Sequence, residues 1–272
     1  MTEASRNTPL LSVIMITYKH EGFIAEAIDG VLMQECDFEV ELIIADDCSP
    51  DKTSLIVSKY IETHPKGQWI KYTRHEHNKG MMPNFIWALE QAKGKYIALC
   101  EGDDYWIDAL KLQRQVDFLK ANPSFSFCFS NISHVDQFDK ELSESWPNRI
   151  EAFTITKRML GEEYLIPTPT ILFKNNILNK EIMGKMSNSP LGDYLISSLL
   201  LLEGNGYYFP DKMASYRHHE NGVFSKIDIQ HKVNAGLKTR RILFRFFIRR
   251  ARIFSALVLL KNSRTFKRRY QF

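Results

Sequence analysis

Two rhythms of apolar residues run along the first 130 positions. Short β-rich runs occupy 11–16 (LSVIMI), 41–45 (ELIIA), 69–72 (WIKY), 95–100 (KYIALC) and 125–129 (FSFCF). Between them lie longer stretches at 26–34, 51–64, 84–92 and 108–119 that read as helices, several with helical spacing of their apolar residues. In 26–34, for example, Ala27, Ile28, Val31 and Leu32 fall on one face. Ser49-Pro50 supplies a cap and first-turn pair for the helix over 51–64, and Gly94 follows the helix over 84–92. Short strands alternating with helices predict βαβ units on a mostly parallel sheet. Near-continuous apolar strands fit a sheet covered on both faces. Ligands of such sheets sit at the carboxyl ends of the strands, so the residues after each strand carry the chemistry.

Beyond residue 130 the rhythm loosens. Residues 133–149 are polar and read as a loop, 170–173 and 207–209 as strands, and 193–202 as a helix with a long apolar face. The hydrophobic fraction of 44% allows a core of ordinary size. Cys36, Cys48, Cys100 and Cys128 form no C-x-x-C pair and read as small buried hydrophobes in a reducing compartment. The opening MTEASRNTPL lacks the apolar stretch of a secretory leader, and no run is long and uncharged enough to span a bilayer. The net charge of +4 hides an asymmetry: from Lys232 onward stand 13 Lys and Arg and no acid, which leaves 23 basic and 32 acidic side chains before it. This predicts a division into a domain at 1–228 and a basic tail at 229–272, each surface with its own job.

The strand ends exclude some chemistries. The first strand is followed by Thr17-Tyr18-Lys19-His20-Glu21-Gly22, which holds one of the glycines a Rossmann diphosphate cradle needs, and no P-loop occurs in the chain. The second strand ends in Asp46-Asp47-Cys48-Ser49-Pro50-Asp51 and the fourth in Glu101-Gly102-Asp103-Asp104-Tyr105-Trp106. Asp and Ser after a strand can act as helix caps alone. Three carboxylates within four positions repel one another unless they are solvated, protonated or hold a cation. Hard oxygen donors suit Mn2+ or Mg2+, and such a cation would neutralise a diphosphate that no glycine cradle holds.

With those residues placed, the chain resembles the family 2 inverting glycosyltransferases of bacterial surface-polysaccharide synthesis, which have the GT-A fold. The matching segments are SVIMITYKHEGFIAEAIDGVLMQ (12–34), ELIIADDCSPDKT (41–53), NKGMMPNFIWALEQAKGKYIALCEGDDYW (78–106), KLQRQVDFL (111–119) and YRHHENGVFS (216–225). The resemblance implies an α/β domain that binds a nucleotide-sugar, with uridine the commonest base. Thr17, Tyr18 and Glu21 would line the base and ribose, Asp47 would meet the base with Asp46 behind it, and Asn78, Lys79 and Gly80 would lie near ribose and diphosphate. Glu101-Gly102-Asp103 stands where the family has its D-x-D metal motif, with Glu in the first position and Asp104 extending it. His219 matches the histidine of the family's Y-R-x-H-x-x-G segment and would touch the metal or diphosphate. Asp193, which alone reads as a helix cap, matches the general base, and Tyr105 and Trp106 would stack on sugar or acceptor. The acceptor implied is a glycan or polyprenyl-linked glycan.

The tail reads as one basic amphipathic helix over 236–270, with Arg241, Arg245, Arg249 and Arg252 among Ile242, Leu243, Phe246, Phe247, Ile253, Leu257 and Leu260. Four arginines within 242–260 argue against a span. An anionic membrane surface is the expected partner, on the cytoplasmic inner face, with packing on the domain as the alternative. Nucleic acid is excluded as a partner because it would not bury the apolar face. Two other functions share part of the pattern. A sugar nucleotidyltransferase would want a Gly-rich basic loop after the first strand, and a non-catalytic glycan-binding module would not need the carboxylates or Asp193.

Overall fold

The computed structural model describes residues 8–146, 149–160, 166–177, 179–220, 222 and 228–269. Residues 221 and 223–225 of the 216–225 segment and residues 147–148 lie outside the described residues. The strands are β1 (Leu11–Thr17), β2 (Val40–Asp46), β3 (Ile70–Arg74), β4 (Tyr96–Leu99), β5 (Tyr105–Trp106), β6 (Phe125–Asp136), β7 (Glu141–Trp146), β8 (Phe153–Ile155), β9 (Leu172–Lys174) and β10 (Asn205–His218). The helices are α1 (Ile24–Leu32), α2 (Thr53–Thr63), α3 (Met81–Gln91), α4 (Lys111–Ala121), α5 (Lys180–Met186), α6 (Gly192–Glu203), α7 (Ile229–Arg249) and α8 (Ile253–Arg269).

One sheet carries the order β3-β2-β1-β4-β9-β6-β10-β5, with β7 beside β6 and β8 beside β10. Strands β1, β2, β3, β4, β6 and β10 share a direction, and the rest oppose it. The chain steps outward from β1 to β3 and then returns to add β4 on the other flank of β1. That reversal opens a crevice at the carboxyl ends of β1 and β4, where doubly wound sheets bind ligands.

Alternation along the strands builds two cores. Val13, Met15, Leu42 and Ile44 join α1, α2 and α4 on one face. Ile14, Ile16, Ile43 and Ala45 join α3, α5, α6, α7 and α8 on the other. Both faces are covered, which is why these strands read as unbroken apolar runs.

Three expectations are corrected. The polar stretch 133–149 is not a loop throughout: β6 continues to Asp136 and turns back into β7. Asp136 Oδ1 accepts from the N–H groups of Phe138 (2.8 Å) and Lys140 (3.1 Å) to make that turn. Ser130, Asn131 and Ser133 are buried in β6, so an apolar pattern does not reveal it. The strand expected at 207–209 extends to 205–218, with its pairing to β6 shifting between Phe209 and Lys212, around Pro210.

The tail is two helices rather than one. At the end of α7, Ala251 takes a left-handed φ of 54°. Its N–H bonds Ile248 O at 3.1 Å while Arg252 N–H bonds Phe247 O at 2.9 Å. This is a Schellman stop with alanine in the place usually held by glycine. No described helix is long and apolar enough to cross a membrane.

Candidate active site

The loops after β1 and β2, the 78–80 loop, the turn after β4 and the end of β10 meet at the crevice. From β1 comes Thr17, buried with its Oγ1 unpartnered, followed by the loop of Tyr18, Lys19, His20 and Glu21. Lys19 adopts φ 61°, and its N–H bonds Ser49 Oγ at 3.0 Å. Glu21 bonds both residues of the 51–52 pair across the same gap: its N–H donates to Asp51 Oδ2 (3.0 Å), and its Oε2 accepts from Lys52 N–H (2.9 Å). The loop after β1 is therefore tied to the loop after β2.

The two aspartates after β2 both organise backbone. Asp46 is fully buried; its oxygens accept from Ser49 N–H (2.8 Å) and the Tyr72 hydroxyl (2.7 Å). Burial and the Asp46 carboxylate push the Tyr72 phenol upward. Asp47 accepts from Lys79 N–H at 2.7 Å with one oxygen and from Gly80 N–H at 2.8 Å with the other, while Asn78 Nδ2 donates to its carbonyl at 3.1 Å. Gly80 holds φ 89°, a left-handed value that glycine adopts without a Cβ penalty. Asp47 thus draws the 78–80 loop onto the sheet edge at the start of α3.

After β4 the chain passes under Thr17. A Cβ on Gly102 would lie 2.9 Å from Thr17 Cβ and Oγ1 and 3.0 Å from His20 Nδ1, so only glycine permits this approach. Burial first, then the charges of Asp103 and Asp193, push the Glu101 carboxyl up to about 8. Asp103 Oδ2 lies 3.0 Å from His219 Nε2 and 3.7 Å from His20 Nε2. Burial opposes its ionisation, yet His20 and the His219 contact outweigh it and hold the carboxyl below its ordinary range. Burial also drives His20 toward its neutral form.

Asp104 faces inward: Oδ1 accepts from Arg217 N–H at 2.9 Å and Oδ2 is buried without a partner. Burial first, then Asp103 and Glu101, keep it well above the usual carboxylate range. Among the described residues no three His, Cys, Asp or Glu side chains converge as a ready-made metal cage. The site offers instead Asp103, with His219 beside it and Glu101 at the same mouth. That is a partial donor set, of the kind Mg2+ and Mn2+ complete with phosphate oxygens and water. Burial raises Glu101 first and the charges of Asp103 and Asp193 add to it; a cation offsets that added repulsion, so these residues fit the ion in that shared form.

Asp193 lies in the first turn of α6, one residue inside the helix start, so it is not the cap. It accepts from Thr168 Oγ1 at 3.1 Å and from Tyr194 N–H at 2.7 Å. Its charge is one of the causes that raise the Glu101 carboxyl. The helical turn Thr168–Thr170 that presents Thr168 is fixed from beneath. Trp106 Nε1 donates to Pro169 O (2.7 Å), and Gln115 Nε2 donates to Thr170 O (2.9 Å). Trp106 is accordingly 2% exposed and belongs to the core rather than to an acceptor surface, because its ring and N–H are both used inside. Tyr105 stays half-buried beneath the Arg217 guanidinium.

Neither the strand-end pattern nor the family resemblance assigns a role to His20, Thr168 or Arg217. Arg217 is buried, bonds Asp103 O at 3.1 Å through Nε, pairs with Glu26, and bonds Asp139 at 2.7 Å. It locks the end of β10 to the turn after β4 and to α1. The available signal was weak: Arg217 sits between Tyr216 and His218, and only its burial shows that it has to find carboxylates.

The chain matches the model of the family described as "Glycosyl transferase family 2" over residues 12–182. It is 32% identical over 214 residues to Rv1520 of Mycobacterium tuberculosis, which covers 79% of this chain and 60% of the relative. It is also 33% identical over 122 residues to WfaP of Escherichia coli, a UDP-Glc:alpha-D-GlcNAc-diphosphoundecaprenol beta-1,3-glucosyltransferase, covering 45% of each. The chain thus spans less than two thirds of the length of these relatives. Among solved structures, Staphylococcus aureus TarS with UDP-GlcNAc superposes with TM-score 0.61 at 19% identity, over 87% of this chain and 71% of that one. The Pyrobaculum calidifontis mannosyltransferase PcManGT with GDP-Man and Mn2+ gives 0.57 at 18%, over 90% and 64%. At these identities the likeness is one of fold.

Proposed function

The chain belongs to glycosyltransferase family 2, and on that premise we propose that it moves a sugar from a nucleoside-diphosphate sugar to an acceptor hydroxyl, inverting the anomeric centre. The observation that carries this reading is the meeting of Thr17, the 78–80 loop and the Glu101–Asp103 turn at one strand-end crevice, with Asp193 on α6 near enough for its charge to raise Glu101. In the proposed arrangement Thr17, Tyr18, Glu21, Asp46 and Asp47 build the base and ribose side. Asn78, Lys79, Gly80 and Gly102 border the diphosphate.

Asp103 and His219 would hold the Mn2+ or Mg2+, with Glu101 bearing on it from the same mouth. A bound divalent ion would supply neutralisation of the charge that develops on the departing diphosphate. Asp104, turned inward onto Arg217, acts as support for the turn. Asp193 takes the proton from the acceptor hydroxyl as that oxygen forms its bond to the anomeric carbon. The bond from that carbon to the diphosphate breaks on the opposite side, and its electron pair leaves with the nucleotide. Thr168 Oγ1 donates to one Asp193 oxygen and the Tyr194 N–H to the other, and these bonds orient the carboxylate for that role.

The donor is read as UDP-linked and the acceptor as a glycan or polyprenyl-linked glycan. TarS bound to UDP-GlcNAc and the lipid-diphosphate acceptor in the name of WfaP support this. The buried carboxylate cluster speaks against a binding module, and the β1 loop against a nucleotidyltransferase. Incubation with radiolabelled UDP- and GDP-sugars, with Mn2+ or with chelator, tests the reading. Metal-dependent release of the labelled sugar is expected from the wild type and not from Asp103→Ala. Release that is equal in both proteins would overturn it.

A further inference from the structure

The tail helices spend their apolar residues differently. In α7, Leu243, Phe246 and Phe247 are buried in the core they share with α6. Its outer face carries Lys238, Arg241, Arg245 and Arg249, all exposed at helical spacing. In α8, Ala256 and Leu259 enter the same core, and Asn262 Nδ2 donates to Leu160 O at 2.7 Å and to Arg158 O at 3.2 Å. These contacts fix the rotation of α8 about its axis.

The residues then left outside are Ile253, Phe254, Leu257 and Leu260, exposed by 53%, 58%, 60% and 38%. They lie within one side of the helix, and the next turns of that side bring Lys261 and Arg264, both exposed. Four large apolar side chains in water on one helix face mark a contact surface rather than scattered surface residues. No acid occurs after Lys232 to pair with the basic residues around it. A protein partner would need an acidic rim around an apolar pocket, whereas an anionic bilayer presents both features over any area. The helix lacks the length and apolarity to cross one.

We propose that this face of α8 is a docking surface for an anionic lipid bilayer, with Phe254 and Leu257 entering the headgroup boundary and the surrounding Lys and Arg meeting the lipid charges. The proposal commits to α8 as the apolar contact, because α7 buries Leu243, Phe246 and Phe247 and, among the described residues, leaves only Ile248 of its large apolar side chains exposed. It is independent of the transfer reading, since neither donor nor acceptor takes part.

The test is co-sedimentation of the full chain with phosphatidylglycerol-containing vesicles and with phosphatidylcholine vesicles. Wild type should bind the anionic vesicles and release as salt shortens the Debye length below about 10 Å. Phe254→Ser with Leu257→Ser should lower the bound fraction about tenfold or more. Arg249→Gln with Lys261→Gln and Arg264→Gln should weaken binding to anionic vesicles while leaving the apolar face intact. All these side chains are exposed, and an unchanged melting temperature would verify that the variants fold. Absence of wild-type binding, or equal binding by all variants, overturns the proposal. So does a concentration-dependent dimer that Phe254→Ser with Leu257→Ser dissolves, since that result assigns the face to a second copy.

Discussion

Lys111 is a buried charge beneath the site, and replacing it with methionine gives a prediction with a definite sign. Its side chain is fully buried at the start of α4; Nζ donates to Gln115 Oε1 at 2.7 Å and stands 4.2 Å from the centre of the Trp106 ring. Burial pushes the amine down from 10.5 to about 8. Below about 8 both folded and unfolded chains hold the proton, and the folded state carries the whole cost of the buried charge. Between about 8 and 10.5 the unfolded chain keeps a proton that the folded chain has released, so stability rises with pH across that window. The gap between the two values corresponds to about 3 kcal/mol.

Lys111→Met removes this titration and keeps the length of the side chain. At neutral pH the variant gains most of that energy. It forfeits about 1–2 kcal/mol for a Gln115 oxygen left unpaired, so a net gain of about 1–2 kcal/mol is expected. Urea unfolding of both proteins at a series of pH values reads the difference directly. The variant's advantage should shrink and reverse as pH approaches 10.5. Parallel stability profiles for the two proteins would refute the placement of a charged amine in this core.

Three further outcomes bear on the site. Asp193→Asn should lower kcat by about a hundredfold or more while the KM for donor and the melting temperature stay near wild type, because the amide keeps the shape but cannot take the proton. Removing one hydrogen bond to that carboxylate with Thr168→Val should cost about tenfold in kcat, and Thr168→Ser should restore most of it; equal rates in Val and Ser variants would show that Thr168 only fills space. Gly102→Ala should destabilise by about 1–3 kcal/mol and weaken donor binding, because the added methyl forces Thr17 and His20 aside; isothermal titration with UDP and calorimetric melting check both effects.

The parallel strands and their helices were legible because a sheet covered on both faces writes itself as apolar runs between helical stretches. The same reading failed where burial is polar: Ser130, Asn131 and Ser133 inside β6 carry no apolar signal, and Ala251 ends α7 in a conformation that sequence favours for glycine. At the site, the sequence by itself marked the residues after β1, β2 and β4, since strand ends on a parallel sheet are where backbone donors and carboxylates collect. The family resemblance, not the residue pattern, marked Asp193 and His219. Only the tertiary structure decided what each does with its atoms. Asp47 is engaged by the 78–80 loop, Asp104 turns inward to the Arg217 N–H, and Trp106 is spent on Pro169. Asp103 meets His219 across 116 positions, and Thr168 meets Asp193 across 25. Local pattern reports which side chains face a core or an edge. Hydrogen-bond partners that far apart in the chain are set by how the layers close, and no periodicity records that.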